Sequence, residues 1–249
     1  MELEICIDSV ESAIAAERGG ADRVELCSAL SEGGLTPSAG LIRAVRGAVR
    51  MDVFVMIRPR GGDFVYSDLE LDVMRRDIVE AKALGVNGVV IGVLTGALGV
   101  DCVRTRQLVD LARPLQVTFH RAFDVCKDKD RGLEEIIACG ADRILTSGGE
   151  IDAIQGAETI ARMQKNTRDR IRIMAGAGIL ATNVRDLALR TGVRAFHTSM
   201  GTTVECPSYD GTSKFDFHPA AFTRWVVRDQ DVRELKDVLC AIDKGRIDV

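Results

Sequence analysis

The sequence predicts a single α/β domain, 1–249, folded as a (β/α)8 TIM barrel, and three observations carry that prediction. Its 249 residues match the length of one such barrel and suffice to bury a large core without disulfides. Short apolar or β-branched runs alternate with longer stretches of helical period, the pattern of βα units around a parallel sheet, and eight units can be counted. A junction also recurs. Gly20-Ala21-Asp22-Arg23 precedes the second strand, and Gly140-Ala141-Asp142-Arg143 precedes the sixth.

In chain order, the first strand falls at 3–7, where Leu3, Ile5 and Ile7 alternate with Glu4 and Cys6. A helix over 9–18 follows, with Ser9 capping the first-turn amides and Gly19-Gly20 ending it. The second strand is 23–27. After it, 28–38 carries Gly33-Gly34 and Thr36-Pro37, is longer than a barrel needs, and is expected over the mouth. The third strand, 53–58, precedes a helix over 69–84 closed by Gly85. The remaining strands are 88–92, 116–120, 143–146, 172–175 and 195–199. Behind the eighth, an extended segment at 202–228 gathers Cys206, Tyr209, Phe215, Phe217, Phe222 and the sole tryptophan, Trp225. Such an aromatic group reads as a packed cap or a subunit contact, and a homo-oligomer is expected.

Composition narrows the function. With 46% hydrophobic and 28% charged residues, the chain is ordinary for a globular protein. A net charge of -4 and the lack of a long basic run argue against a nucleic-acid partner. No apolar stretch approaches the ~20 residues of a membrane helix, and the N-terminal segment lacks the features of a signal peptide, so a cytoplasmic location without membrane contact is expected. The seven cysteines, Cys6, Cys27, Cys102, Cys126, Cys139, Cys206 and Cys240, never form a C-x-x-C pair and read as reduced core residues.

Strand parity locates the candidate site. Inward residues at the carboxyl ends of barrel strands line the active face. If the charged parity faces in, Glu4, Glu25, Arg58, His120 and His197 converge at one end of the barrel. Buried charges must pair, stay wet or bind something, so the group is either a structural ion-pair cluster or a functional site. Phe119-His120-Arg121-Ala122-Phe123-Asp124 suits His120 as acid, base or ligand, with Asp124 capping the next turn or orienting a partner. Arg58 and Arg60 can clamp a carboxylate or phosphate; the alternative for Arg60 is a surface pair with Asp63 or Glu70. Glycine-rich turns holding Ser147 and Gly148, then Gly176 and Gly178, and finally Ser199 make a candidate anion site after the last three strands. Cys6 and Cys27 lie on sequential strands, and thiolates suit Cu(I), yet taken alone the two read as core residues.

Several motifs together carry a resemblance: Glu25-Leu26-Cys27-Ser28, Gly33-Gly34-Leu35-Thr36-Pro37-Ser38, Ile57-Arg58-Pro59-Arg60, Asp63-Phe64-Val65-Tyr66, Thr118-Phe119-His120-Arg121-Ala122-Phe123-Asp124 and Arg143-Ile144-Leu145-Thr146-Ser147-Gly148. In these the chain resembles the CutC family of copper homeostasis proteins, from the first strand through His197, and the likeness fades in 202–228. The resemblance implies a cytoplasmic (β/α)8 barrel, often oligomeric, linked to copper handling and in some members to Cu(I) binding through cysteines. Carried over by position, the candidate metal ligands here are Cys6 and Cys27; apart from the resemblance, Met56 is a nearby methionine that can help them hold Cu(I). Two expectations follow. One is a copper homeostasis protein that binds Cu(I). The other is a TIM-barrel enzyme, an isomerase, lyase or hydrolase, acting on a small anionic or phosphorylated metabolite, with Arg58 holding the anion while Glu25 and His120 move protons.

Overall fold

The computed structural model describes residues 1–205 and 223–245. Eight parallel strands close into a barrel: β1 (Glu2–Ile7), β2 (Arg23–Leu26), β3 (Asp52–Met56), β4 (Gly88–Ile91), β5 (Gln116–Phe119), β6 (Arg143–Thr146), β7 (Arg172–Gly176) and β8 (Ala195–Thr198), with β8 bonded back to β1. The sheet therefore has no open edge. The helices are α1 (Val10–Gly19), α2 (Ala39–Ala48), α3 (Asp68–Ala83), α4 (Cys102–Ala112), α5 (Ala122–Val125), α6 (Lys129–Cys139), α7 (Ala157–Thr167), α8 (Val184–Thr191) and α9 (Asp229–Asp243). A hairpin of β9 (Thr202–Glu205) and β10 (Thr223–Val226) stands outside the barrel. Of the expected aromatic segment, Trp225 lies in β10, whereas Cys206, Tyr209, Phe215, Phe217 and Phe222 fall outside the described residues.

The local chemistry agrees with the expected caps. Ser9 Oγ accepts from Ser12 N at the start of α1, and Gly20 closes that helix at φ 89°. Gly140 closes α6 at φ 84°, the same left-handed cap that favours glycine. The repeated junction acts alike in both places. Asp22 accepts from Leu3 N at 2.6 Å and Asp142 accepts from Val117 N at 2.7 Å, so each aspartate ties the foot of the neighbouring strand.

Period two sorts the side chains into two regions. Leu3, Ile5, Val24, Val55, Ile91, Phe119 and Phe196 pack outward with the helices in one large cluster. Inside the barrel sit smaller apolar clusters, one of Cys6, Cys27, Phe54, Met56 and Val90, another of Leu145, Met174 and Ala195. The charged parity thus faces in. Buried Glu4, Arg23, Glu25, Arg143 and His197 share the lumen with these residues. Among the described residues no helix is long and apolar enough to cross a membrane.

Candidate functional site at the barrel mouth

At the carboxyl end of the strands lies a cavity of about 650 Å³, lined among others by Cys6, Glu25, Met56, Arg58, His120 and His197. Each is delivered by an inward position at or just past a strand end. Register does the finer placing: Cys6 stands opposite Glu25, while Arg23, Glu4 and His197 form one row across β2, β1 and β8. Trp225 and Ser199 close the rim.

One half of the site is a proton-sharing cluster. Cys6 Sγ lies 3.8 Å from Cys27 Sγ, and Cys27 Sγ lies 3.6 Å from Glu25 Oε2. The hydrogen bond with Cys27 overcomes burial and lowers the Cys6 thiol to about 6, helped by His197. The same bond, with burial, pushes Cys27 well above the usual thiol range. The shared hydrogen bond thus favours the thiolate on Cys6 and the thiol on Cys27. Burial works against a charged His197, yet Glu25, Cys6 and Glu4 outweigh it and raise the imidazole well above its ordinary value. His197 Nδ1 donates to Glu4 Oε1 at 2.6 Å, and Nε2 lies 3.8 Å from Glu25 Oε2. Burial raises Glu25 well above the carboxylate range. Glu4, although enclosed, is held at about 2: burial pushes it up, but Arg23 and His197 outweigh burial. Glu4 is fully buried behind His197 and bonded to Arg23 Nε at 2.6 Å, so it reaches the cavity only through the imidazole.

The other half is built on Phe64, from the Asp63-Phe64-Val65-Tyr66 motif. Arg58 stacks its guanidinium 5.1 Å from the Phe64 centroid, and the His120 ring lies 5.0 Å from the same centroid. His120 Nδ1 accepts from Ala122 N at 3.0 Å, which leaves the proton on Nε2. Burial, then the Arg58 charge, lowers His120 to about 3, so the ring is neutral. Gly92 makes its place, because a Cβ there would come within 2.3 Å of His120 Cε1.

The expected anion site is not assembled as read. Asp124 turns away from the cavity and enters the turn after β6, where it accepts from Thr146 Oγ1, Ser147 N at 3.1 Å, Gly149 N at 3.2 Å and Arg121 Nε at 2.7 Å. Gly148 N donates to Thr146 Oγ1. The Ser147 amide that seemed free for an external anion thus holds the chain's own carboxylate, and the Gly148 amide is taken by Thr146 Oγ1. Arg60 takes the surface alternative, with Nε on Glu70 at 2.5 Å and Nη1 on Asp63 at 3.1 Å. Gly176 makes room inside the barrel, since its Cβ would sit 2.5 Å from Leu145 Cδ1, and Gly178 is an exposed turn residue beside Asp152. Only Ser199 of that set lines the cavity. The sequence reading also missed Arg23 and Arg143, buried beneath the site; the Arg that ends each repeated junction was the available signal.

The family model of the CutC family matches residues 1–202. A human copper homeostasis protein cutC homolog is 48% identical over 81% of this chain and 74% of its own length. A CutC family protein of Xanthomonas campestris pv. campestris is 50% identical, covering 80% of this chain and 83% of its own. The crystal structure of CutC from Streptococcus agalactiae superposes with a TM-score of 0.77 at 34% identity, over 80% of this chain and 98% of that one. The barrel, its inward charged row and the mouth, apart from Thr203, Thr223 and Trp225 on its rim, thus lie within the matched residues, and the chain belongs to the CutC family.

Proposed function

We propose that this protein serves copper homeostasis by taking up Cu(I) at the barrel mouth through Cys6 and Cys27. The carrying observation is the pair of sulfurs 3.8 Å apart, with Cys6 lining the cavity and Cys27 buried directly behind it. With metal–sulfur bonds of about 2.3 Å, two thiolates can be up to about 4.6 Å apart and still share one ion, so the spacing fits. Soft sulfur selects Cu(I) over the harder cations that a carboxylate such as Glu25 prefers. Met56 packs in the same apolar cluster as the two cysteines and offers a thioether. The copper is cargo, and the lowered Cys6 thiol favours the thiolate that a soft ion needs. Residence in the reducing cytoplasm belongs to the same proposal, because the pair must remain as thiols to meet copper.

Anaerobic Cu(I) titration against a competing chelator tests this. The wild type takes one tightly held ion per chain, Cys6→Ala and Cys27→Ala each weaken it by at least about tenfold, and the double variant loses it. Equal uptake by the wild type and the double variant would remove the site.

A further inference from the structure

We propose that the same cavity binds a small organic anion, carrying a carboxylate or phosphoryl group, between Arg58 and His120. This goes beyond the copper reading and does not rest on it. Arg58 is 5% exposed, and no carboxylate pairs with it among the described residues. Its partners are neutral: Nη1 donates to the carbonyls of Glu32 and Gly34, and Nη2 donates to that of Gly62. Three of five guanidinium protons are so engaged, and Nε is buried without a partner. A buried cation without a counter-ion is costly unless an anion joins it.

His120 supplies the second observation. The ring is 4% exposed and lines the cavity, and Nε2 has no partner among the described residues. Because Nδ1 is fixed as the acceptor of Ala122 N, Nε2 can only donate. An anion oxygen there satisfies a donor that otherwise stays bare. Phe64 holds both groups on one ring, and Arg121 on the cavity rim adds a second positive charge, although Asp124 shares it. A volume of about 650 Å³ admits a metabolite-sized molecule rather than a polymer.

The test uses histidine labelled with nitrogen-15 in the full chain, where only three histidines give signals. Inorganic phosphate and acetate are titrated separately into the copper-free protein. The expected result is a saturable shift of His120 Nε2 with at least one probe, and the probe that produces it names the class. His120→Gln and Arg58→Lys are then followed by calorimetry with that probe, and each weakens binding by about tenfold or more. Both variants keep Cu(I) uptake, so failure of the anion site and failure of the copper site are distinguishable. Arg58 also ties three loop carbonyls, so a fold-loss in Arg58→Lys would leave His120→Gln as the deciding variant. No shift with either probe, or unchanged affinity in His120→Gln, overturns the proposal.

Discussion

His120 shows how one buried ring sets a pH dependence. Burial, then Arg58, lowers its native value to about 3, against about 6.5 when unfolded. Between those values the unfolded chain takes up a proton that the native ring refuses. Stability therefore rises with pH across that window and falls on acidification, by about 1.4 kcal/mol per pH unit. His197 has the opposite sign: its native value is raised, so its contribution is complete below about 6.5 and is lost only as pH rises through that higher native value. The acid limb is thus the place to see His120. Denaturant unfolding from pH 6.5 to 5 should show the wild type losing about 2 kcal/mol more than His120→Gln. Parallel curves for the two proteins would mean that the ring is charged in the native state. Gly92→Ala gives a second check at this scale. A methyl 2.3 Å from Cε1 and 2.5 Å from Nδ1 must displace the ring, and a destabilisation of about 1–3 kcal/mol by urea unfolding is expected.

The turn after β6 is where one element explains both a success and a failure of sequence reading. Strands were legible because period two and the glycine caps are local: Glu25 and Cys27, or Ala195 and His197, declare their face from two residues apart. Even the repeated junction was visible as a pattern. That Asp22 and Asp142 tie neighbouring strands was not, because the partners are 19 and 25 residues away. Asp124 is the sharper case. Glycine, serine and threonine after β6 do form an anion-binding turn, but the anion arrives from α5, more than twenty residues earlier. Composition gave the chemistry of the turn and could not give the identity of its occupant. The Cys6 and Cys27 pair follows the same logic: parity put both thiols inside, while their approach to 3.8 Å depends on barrel shear and on Gly34, whose Cβ would lie 3.0 Å from Cys27 Sγ. Removing Asp124 should leave several donors bare at once. Asp124→Ala is expected to cost about 3 kcal/mol in urea unfolding and to speed amide exchange at Ser147 and Gly149. A change below about 0.5 kcal/mol would show that water replaces the carboxylate without penalty.

Across the whole molecule, the lumen is a stack of alternating charges. Glu2 meets Arg23 at 2.8 Å, Arg143 at 3.1 Å and Arg172 at 2.5 Å at the amino end of the barrel. Arg23 joins Glu4, and Glu4 joins His197 beneath the mouth. Phe54 fills the centre, with Arg23 stacked 4.4 Å and Arg143 5.7 Å from its centroid. Isolated, any one of these charges would be strongly unfavourable in the barrel, so each offsets the burial of its neighbour. This is why Glu4 stays a carboxylate at about 2 while nearby Glu25, facing no arginine, is pushed up. The column consequently links the foot of the barrel to the site through a continuous chain of paired charges. Truncation of one member should expose that coupling. Arg23→Met leaves Glu4 and Glu2 short of a partner and is expected to cost about 3–5 kcal/mol, and Glu4→Gln a comparable amount. If the two act through their shared bond, the double variant falls short of the summed losses by about 1–3 kcal/mol in urea unfolding. Strict additivity would sever Arg23 from Glu4 energetically and leave His197 and Arg143 to hold Glu4 ionised.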